Sequence, residues 1–255
     1  MKKVFAFMAI AAMVFVACNK NDDPNKGKEG GKEEGKEQEE EKAKVDIKID
    51  GDFADWAAIN PEYVAVAKND PNSKWEGVAE IRCCANADFV FYYIKYDKET
   101  VEELLSLNDV LPIRLNINTD GEFESGYTSY SLDGYDFILE GSLGNGEGGW
   151  GNFEPEMHQR IGGWVSLAPS TSGICSGAGA GHEYEILVSR DLFNNAALGS
   201  EVPMPMGDVF QTGVRFYETT VGNPGHWEEL SNMPNSSIDV EESGYGHLLE
   251  VAVIK

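Results

Sequence analysis

Five stretches of the chain alternate apolar and polar side chains with a period of two residues, and their apolar positions are rich in aromatic and β-branched side chains. These stretches are residues 89–96, 113–118, 184–188, 214–220 and 247–254. The period places neighbouring side chains on opposite faces of a β-strand. Helical patterns are short and occur at residues 99–107 and 190–195. The alternation therefore predicts a mainly β fold with few short helices.

Breaks in the alternation predict the connections between strands. Residues 85–88 lie between two strand patterns and predict a hairpin connection. The Gly-rich residues 141–163 and 170–181 interrupt the alternation, so we expect them to be surface loops. Residues 45–255 are enough for a single β-sandwich or barrel, and one domain is the expectation.

The first residues have the layout of an export signal. Two lysines precede an unbroken apolar run at residues 4–16, and Ala17 and Cys18 follow it directly. As a helix this run would reach about 20 Å, short of the roughly 30 Å hydrocarbon core of a membrane. Residues 1–17 are therefore predicted to be a removable signal peptide. Ala17-Cys18 resembles the lipobox of bacterial lipoproteins, which predicts lipidation of the Cys18 thiol; the alternative is a secreted chain that loses Cys18 with its signal.

A charged segment follows the cysteine. Residues 18–23 resemble the acidic signal that sends Bacteroidetes lipoproteins to the outer face of the outer membrane. This resemblance predicts an outer membrane lipoprotein that faces the cell exterior. Residues 18–44 are mostly Lys, Glu and Gly, so they are predicted to be a disordered tether between the lipid anchor and a domain at residues 45–255.

The net charge of −24 falls on residues 45–255, because lysines and acidic residues balance in the part before them. Affinity for nucleic acid comes largely from Lys and Arg that neutralise phosphates, so we expect no nucleic acid partner. The same acidity argues against binding of the domain to anionic lipid, which leaves the lipid anchor as the predicted contact with the membrane. The charge suits divalent cations, neutral or basic ligands, or simple solubility outside the cell.

Three cysteines remain in the predicted domain: Cys83, Cys84 and Cys175. The alternation around residue 83 predicts that Cys83 is buried and that Cys84 lies on the opposite face of its strand. An extracellular location permits a disulfide. Cys175 is able to pair with either of the other two, and the sequence leaves the pairing open.

Four segments, in order along the domain, carry a family resemblance. They are residues 49–56 (IDGDFADW), 87–93 (ADFVFYY), 118–137 with NTDG, GY and YDF, and 183–188 (EYEILV). Their order and spacing are similar to those of family 9 carbohydrate-binding modules and related DOMON-like domains. The resemblance implies an antiparallel β-sandwich of jelly-roll type, bound calcium, and binding to polysaccharide chains. Trp56, in the first segment, is expected to be structural.

A calcium site is predicted where one strand pattern ends. Asn116, Asn118 and Asp120 alternate onto one face, Gly121 permits a sharp turn, and further carboxylates follow. Calcium prefers six to eight oxygen ligands of this kind. The predicted metal ligands are Asn116, Asn118, Asp120, Glu122 and Glu124. The alternative is an ordinary Asx turn that closes a hairpin.

Tryptophans beside Gly, Lys, Asn or Glu are the predicted platforms for a sugar. They stand outside the alternating runs, and flat indoles stack on the apolar faces of sugar rings. Nearby polar side chains would bind hydroxyl groups. The predicted ligand-binding residues are Trp75, Trp150, Trp164, Trp227, Asn152, Glu154 and His158. The alternative for each tryptophan is that it caps an edge of the core.

The motifs favour binding over catalysis. The sequence has no Gly-x-Ser-x-Gly, His-Glu-x-x-His, phosphate-binding or dinucleotide-binding motif. We therefore predict a chain that is not an enzyme and binds glycan or polysaccharide at the bacterial cell surface. The first alternative is an adhesion or assembly module that binds a protein partner in a surface complex; a glycoside hydrolase is the second. A glycan binder should expose Trp150 or Trp164 to solvent beside polar side chains in a groove, and a protein-binding module should expose a broader, flatter apolar patch.

Overall fold

The computed structural model describes residues 44–73, 75, 77–106, 111–122, 125–127, 134–167, 173–220, 223–235 and 247–255, with the backbone alone at 218–220 and 223–228. Within these ranges the chain forms twelve β-strands, three α-helices and one short 3-10 helix. The strands are β1 Ala65–Lys68, β2 Val78–Asn86, β3 Phe89–Tyr96, β4 Pro112–Asn118, β5 Phe137–Ser142, β6 Glu156–Ile161, β7 Gly163–Ser166, β8 Cys175–Ala180, β9 Glu183–Ser189, β10 Val209–Thr220, β11 Asn223–Met233 and β12 Leu249–Ile254. The helices are α1 Ala54–Ala58, α2 Lys98–Ser106, α3 Arg190–Leu198 and the 3-10 helix Pro61–Tyr63.

The strands form a continuous ladder in the order β7-β6-β5-β4-β10-β12-β2-β3-β9-β8, with β1 added beside β2 and β11 beside β10. Every pairing is antiparallel except that of β12 with β2. β12 pairs with β10 through its first residues and with β2 through its last. We call β1, β2, β3, β8 and β9 the first sheet, and β4, β5, β6, β7, β10 and β11 the second sheet.

The inner faces of the two sheets share one hydrophobic core, which includes apolar side chains of β2, β3 and β9 together with those of β4, β5 and β10. Two contacts join the sheets directly. The Tyr92 hydroxyl on β3 lies 2.9 Å from Thr212 Oγ1 on β10, and Tyr96 meets Phe216 edge to face at 5.1 Å between ring centroids. The predicted mainly β, sandwich-like fold with few short helices is confirmed.

The outer face of the first sheet is covered by residues 45–64. Trp56 is 3 % exposed and packs with Cys84, Phe91 and Tyr93 in a second hydrophobic cluster. Burying a tryptophan here stabilises the fold by about 2 to 3 kcal/mol in transfer free energy alone. The predicted structural role of Trp56 agrees with this burial.

A buried carboxylate of the first sheet fastens this covering segment. Glu185 on β9 is inaccessible to solvent. Its Oε1 accepts the backbone N–H groups of Asp50 at 2.8 Å and Gly51 at 2.9 Å, and its Oε2 accepts the Trp56 indole N–H at 3.3 Å. Gly51 has φ of 79°, a left-handed conformation that glycine adopts without strain. The sequence IDGDFADW thus forms a turn and helix held by one carboxylate.

Two of the predicted loops are wrong in part, because each contains a strand. Residues 141–163 include β6, where Gln159 takes a core position and donates its amide N–H to the Val202 carbonyl at 2.6 Å. Residues 170–181 include β8, whose glycines leave room for large neighbours. A Cβ at Gly177 would lie 2.4 Å from the Tyr184 hydroxyl, and one at Gly179 would lie 2.5 Å from Trp150 Cγ.

Cys83, Cys84 and Cys175 are all buried and unpaired. The predicted burial of Cys83 is confirmed; Cys84 is buried as well, because residues 45–64 cover its face of the sheet. A disulfide between Cys175 and either neighbour, left open by the sequence, does not form in this structure. None of the helices in the described ranges has the length and apolar character needed to cross a membrane. Cys18 and the predicted signal and tether lie outside the described residues.

Candidate functional site

The outer face of the second sheet carries an unusual concentration of arginine. On β4, Ile113, Leu115 and Ile117 fill the core, so Arg114 takes the opposite face. In the strand register Arg114 lies beside Arg215 of β10 and beside Glu140 of β5. Arg160 takes the same face on β6. Three of the five arginines in a chain of net charge −24 therefore lie on one face of one sheet.

Each of these arginines contacts an aromatic ring. The Arg114 guanidinium carbon lies 5.0 Å from the centroid of Tyr217, and that of Arg215 lies 5.5 Å from Tyr135. Arg160 contacts two rings, Tyr127 at 5.1 Å and Trp164 at 5.7 Å. The register places Arg160 directly opposite Trp164 on β7.

The rings also contact one another. Trp164 stacks on Tyr135 at 5.9 Å with 21° between the planes, and Tyr127 lies 5.7 Å from Trp164. The backbone N–H of Tyr127 donates to the Tyr135 carbonyl at 2.9 Å, which fixes the two tyrosines together. Gly126 permits this approach, because a Cβ there would lie 2.6 Å from the Tyr135 backbone. Tyr135 is 2 % exposed, whereas Trp164, Tyr127 and Arg160 keep part of their surface in solvent.

Two of the three arginines are matched by a glutamate. Arg114 Nε donates to Glu140, and Arg114 Nη1 donates to the Tyr217 hydroxyl at 3.1 Å. Arg215 Nε lies 3.8 Å from Glu229 Oε1, and Arg215 is 5 % exposed. The Arg160 guanidinium has its two ring contacts, with no hydrogen bond or ion pair to any side chain in the described part of the chain.

The buried tyrosines of this face keep their protons at neutral pH. Burial raises the pKa of Tyr135, and the charge of Arg215 opposes that shift. Burial likewise raises the pKa of Tyr217, with Arg114 and Arg215 opposing it. Both hydroxyls are therefore neutral at pH 7, and that of Tyr217 accepts the hydrogen bond from Arg114.

Two predicted ligand-binding residues lie on this face, Trp164 and His158. His158 is two residues from Arg160 along β6, and its Nε2 lies 3.7 Å from Glu156 Oε2. Glu156 also accepts a hydrogen bond from the Ser166 hydroxyl on β7. Trp164 is partly exposed beside these polar side chains, and its role in ligand binding stays a prediction.

Trp150, Asn152 and Glu154 lie elsewhere, at the β8 and β9 edge of the first sheet. The Trp150 ring contacts Tyr96 and Tyr184, and its indole N–H donates to the Gly181 carbonyl at 3.1 Å. Asn152 Oδ1 accepts the Gly177 backbone N–H, and its amide donates to Glu154. Trp150 is partly exposed, as Trp164 is, but it packs against the hydrophobic core, which agrees with the alternative that it caps an edge of the core.

The other two tryptophans do not join Trp164 in the described part of the structure. Trp75, expected outside the core, is buried with 9 % of its surface exposed. Trp227 lies in β11, where the register pairs its backbone with Thr219. The Trp227 side chain is outside the described part.

The predicted calcium ligands form a hydrogen-bonded turn. Asn118 Oδ1 accepts the Gly121 N–H at 2.7 Å, and Asp120 Oδ1 accepts the Glu122 N–H at 2.8 Å. Asn116 is 2 % exposed, and its Oδ1 has no hydrogen-bond partner among the described atoms. Glu124 lies outside the described residues.

A neighbouring carboxylate joins this turn. Asp136 is buried and accepts the backbone N–H and hydroxyl of Thr119, while the Ser125 hydroxyl donates toward both Asp120 and Asp136. Burial raises the pKa of Asp136, and the charge of Asp120 adds to the rise. The described residues include no group of three or more His, Cys, Asp or Glu side chains arranged for a metal. The oxygens fit the Asx-turn alternative, and calcium stays a prediction.

The sequence reasoning missed Arg114, Arg160 and Arg215 and their tyrosine partners. A signal was present for two of them, because Arg114 and Arg215 alternate with core residues and therefore had to face outward. Their convergence depends on which strands are neighbours, and alternation does not report that.

In sequence comparisons no protein-family model matches this chain, and no curated protein matches it. The function is therefore inferred from the chain's own residues.

Proposed function

We propose that this chain binds glycan without catalysis, through the outer face of the second sheet. The observation that carries the proposal is the group formed by Trp164, Tyr127 and Arg160. It combines partly exposed rings with a guanidinium that has no polar partner in the described ranges.

This combination suits a sugar ring. A pyranose has apolar C–H faces, which pack on aromatic rings, and hydroxyl edges, which need hydrogen-bond partners. Trp164 and Tyr127 supply the aromatic surface that their contacts with Arg160 and Tyr135 leave exposed, and Arg160 and His158 supply donors beside it. The stack of Trp164 on the buried Tyr135 holds the indole in place before any ligand arrives, so little side-chain entropy is lost on binding.

The likeness to family 9 carbohydrate-binding modules supports the proposal as analogy. The likeness concerns the class of ligand, and the contacts of Trp164, Tyr127 and Arg160 support the position of the site.

We also propose that the domain acts at the cell surface, held there by lipid on Cys18. The support is the apolar run at residues 4–16 followed by Ala17-Cys18. Metabolic labelling with a fatty-acid analogue tests it. We expect label on the wild-type chain and none on Cys18→Ser; labelling of both would contradict the anchor.

The second candidate is a module that binds a protein partner in a surface complex. Such a module would use a broad apolar patch, and the glycan experiment separates the two functions.

The test is a glycan array probed with the full-length chain, its Trp164→Ala variant and its Trp150→Phe variant. Because Trp164 belongs to the proposed site and Trp150 caps the other sheet, we expect specific glycan binding by the wild type and Trp150→Phe. We expect Trp164→Ala to lose at least about tenfold in affinity, as for loss of an aromatic anchor. If the folded wild-type chain binds no glycan on a broad array, this result would contradict glycan binding and favour the protein-binding module.

A further inference from the structure

We infer that the outer face of the second sheet selects a glycan that carries a negative charge, a carboxylate or a sulfate, and that Arg160 binds this group. The inference rests on the proposed glycan-binding function and names the substrate class of the same site.

Arg160 differs from the two other arginines of this face, Arg114 and Arg215, in the side chains that its guanidinium contacts. Arg114 faces Glu140 and Arg215 faces Glu229, so protein carboxylates already balance both guanidinium groups. Arg160 faces Tyr127 and Trp164, and it has no carboxylate partner in the described part of the chain. Its charge is therefore available to a ligand.

Ring contacts hold the Arg160 guanidinium, and a backbone hydrogen bond holds its main chain. Contact with two rings restricts the guanidinium plane, and the Arg160 backbone N–H donates to the Asp136 carbonyl at 2.7 Å. A planar guanidinium presents N–H groups in a fork that matches two oxygens of a carboxylate or sulfate. Aromatic rings leave the fork unoccupied, because they contact the cation through their faces.

Arg160 and Trp164 are neighbours on the outer face of the second sheet. Arg160 lies opposite Trp164 in the strand register, and both keep part of their surface in solvent. A sugar in contact with the indole would therefore hold its charged substituent next to the guanidinium. Recognition of the ring and recognition of the charge occur side by side.

The net charge of −24 opposes any polyanion at long range. At 0.15 M salt the Debye length is about 8 Å, so distant carboxylates are largely screened while a direct contact with Arg160 persists. An acidic glycan should thus bind at physiological salt through local contact, without electrostatic steering.

The experiment compares charged glycans with matched neutral forms at 0.15 M NaCl, using the full-length chain. Polygalacturonate and its methyl ester test a carboxylate; carrageenan and its desulfated form test a sulfate. The variants are Arg160→Gln, Arg160→Lys, and Arg82→Gln as a control on the outer face of the first sheet. Thermal unfolding of each variant is measured alongside, and Arg160→Lys supplies a second reading if Arg160→Gln unfolds.

We expect the wild type and Arg82→Gln to prefer at least one charged glycan over its neutral form. We expect Arg160→Gln to lose about tenfold or more of that affinity, and Arg160→Lys, which lacks the fork, to lose part of it. The charged glycan that binds, polygalacturonate or carrageenan, identifies the group recognised by Arg160 as a carboxylate or a sulfate.

Equal binding of charged and neutral forms, unchanged in the Arg160 variants, would overturn the inference and leave the proposed function standing. Failure of the wild type to bind any glycan would overturn both.

Discussion

Arg160 and Trp164 lie directly opposite each other on β6 and β7, with the guanidinium carbon 5.7 Å from the indole centroid. Trp150, which shares the Gly-rich surroundings of Trp164 in the sequence, packs instead between Tyr96 and Tyr184 at the edge of the core. The two tryptophans thus have different roles, and mutation separates them.

We expect Trp150→Ala to destabilise the fold by about 3 kcal/mol, because it removes ring contacts and leaves a cavity beside Gly179. Trp164→Ala should cost less, because Trp164 lies on the outer face of the second sheet, whereas Trp150, also partly exposed, packs against the hydrophobic core. Urea denaturation of both variants measures the difference. A larger loss for Trp164→Ala would mean that the aromatic group of the second sheet is mainly structural.

Glu185→Gln should lower the free energy of unfolding by about 1 to 3 kcal/mol at neutral pH. The amide oxygen of glutamine can still accept from Asp50 and Gly51, but its NH₂ group would then face the Trp56 indole N–H, donor against donor. Denaturant unfolding checks this, with the exposed Glu62→Gln as a control. Equal stability of the two variants would show that Glu185 does not fasten residues 45–64.

The same carboxyl predicts a pH dependence. Burial raises the pKa of Glu185, and the N–H groups of Gly51 and Asp50 only partly offset the rise. A raised pKa in the folded state means that folding takes up a proton, so this contribution to stability is complete below the unfolded pKa. It is lost as the pH rises through the folded pKa. Burial also raises the pKa of Asp136, so the Asp136 carboxyl contributes to stability with the same pH dependence.

We therefore expect the contribution of Glu185 to the free energy of unfolding to fall as the pH increases above about 4.5, by at most about 1.4 kcal/mol per pH unit for one proton. The stability of the wild type should change less favourably with rising pH than that of Glu185→Gln, and Glu62→Gln should follow the wild type. Denaturant unfolding at several pH values measures the slope of stability against pH. Identical slopes in wild type and Glu185→Gln would rule out Glu185 as the titrating group.

Gly179→Ala should destabilise the fold by about 1 to 3 kcal/mol, as overpacking of a core does. The added methyl group would meet Trp150 Cγ at 2.5 Å and the Tyr184 ring at 2.6 Å. Gly163→Ala is the matched control in an edge strand, since a Cβ there meets nothing within 4 Å. Thermal unfolding of the pair tests the explanation of β8. If both variants unfold at the wild-type temperature, close packing is not the reason for glycine in this strand.

A calcium ion held by Asp120 predicts stabilisation that depends on calcium. Binding to the folded chain alone, at a hundredfold excess over the dissociation constant, raises the unfolding free energy by about 2.7 kcal/mol. Asp120→Asn should abolish the rise, and Asp52→Asn, whose side chain accepts the Ala54 N–H in another Asx turn, should retain it. Thermal unfolding with calcium and with chelator makes the comparison. No effect of calcium on the wild type would leave the Asx turn as the full explanation of this sequence.

The sequence predicted the elements with the strongest alternation. β3 matches the predicted residues 89–96 at both ends, and α2 differs from the predicted residues 99–107 by one residue at each end. β8 was missed because its glycines, which in a sequence indicate turns, serve here to admit Trp150 and Tyr184. In β6 the buried Gln159 hides the alternation, since a polar residue occupies a core position through its hydrogen bond to Val202.

The candidate site was predictable in part, for a physical reason. Trp164 and His158 were selected by residue type, and both lie on the outer face of the second sheet. Arg160 was not selected, because its importance comes from Tyr127, which is distant in sequence, and from pairing with β7. Alternation assigns a side chain to a face of its strand; the order of strands in the sheet decides which side chains meet.

The proposed glycan site requires binding at Trp164 and not at another tryptophan. The most direct measurement is a titration of the ¹⁵N-labelled chain with the best-bound oligosaccharide, followed through the five tryptophan indole N–H signals, with Trp164→Phe to assign its own. We expect the Trp164 signal to shift while those of the buried Trp56 and of Trp150 stay in place. Shifts confined to Trp56 or Trp150, with Trp164 unmoved, would contradict the proposed site.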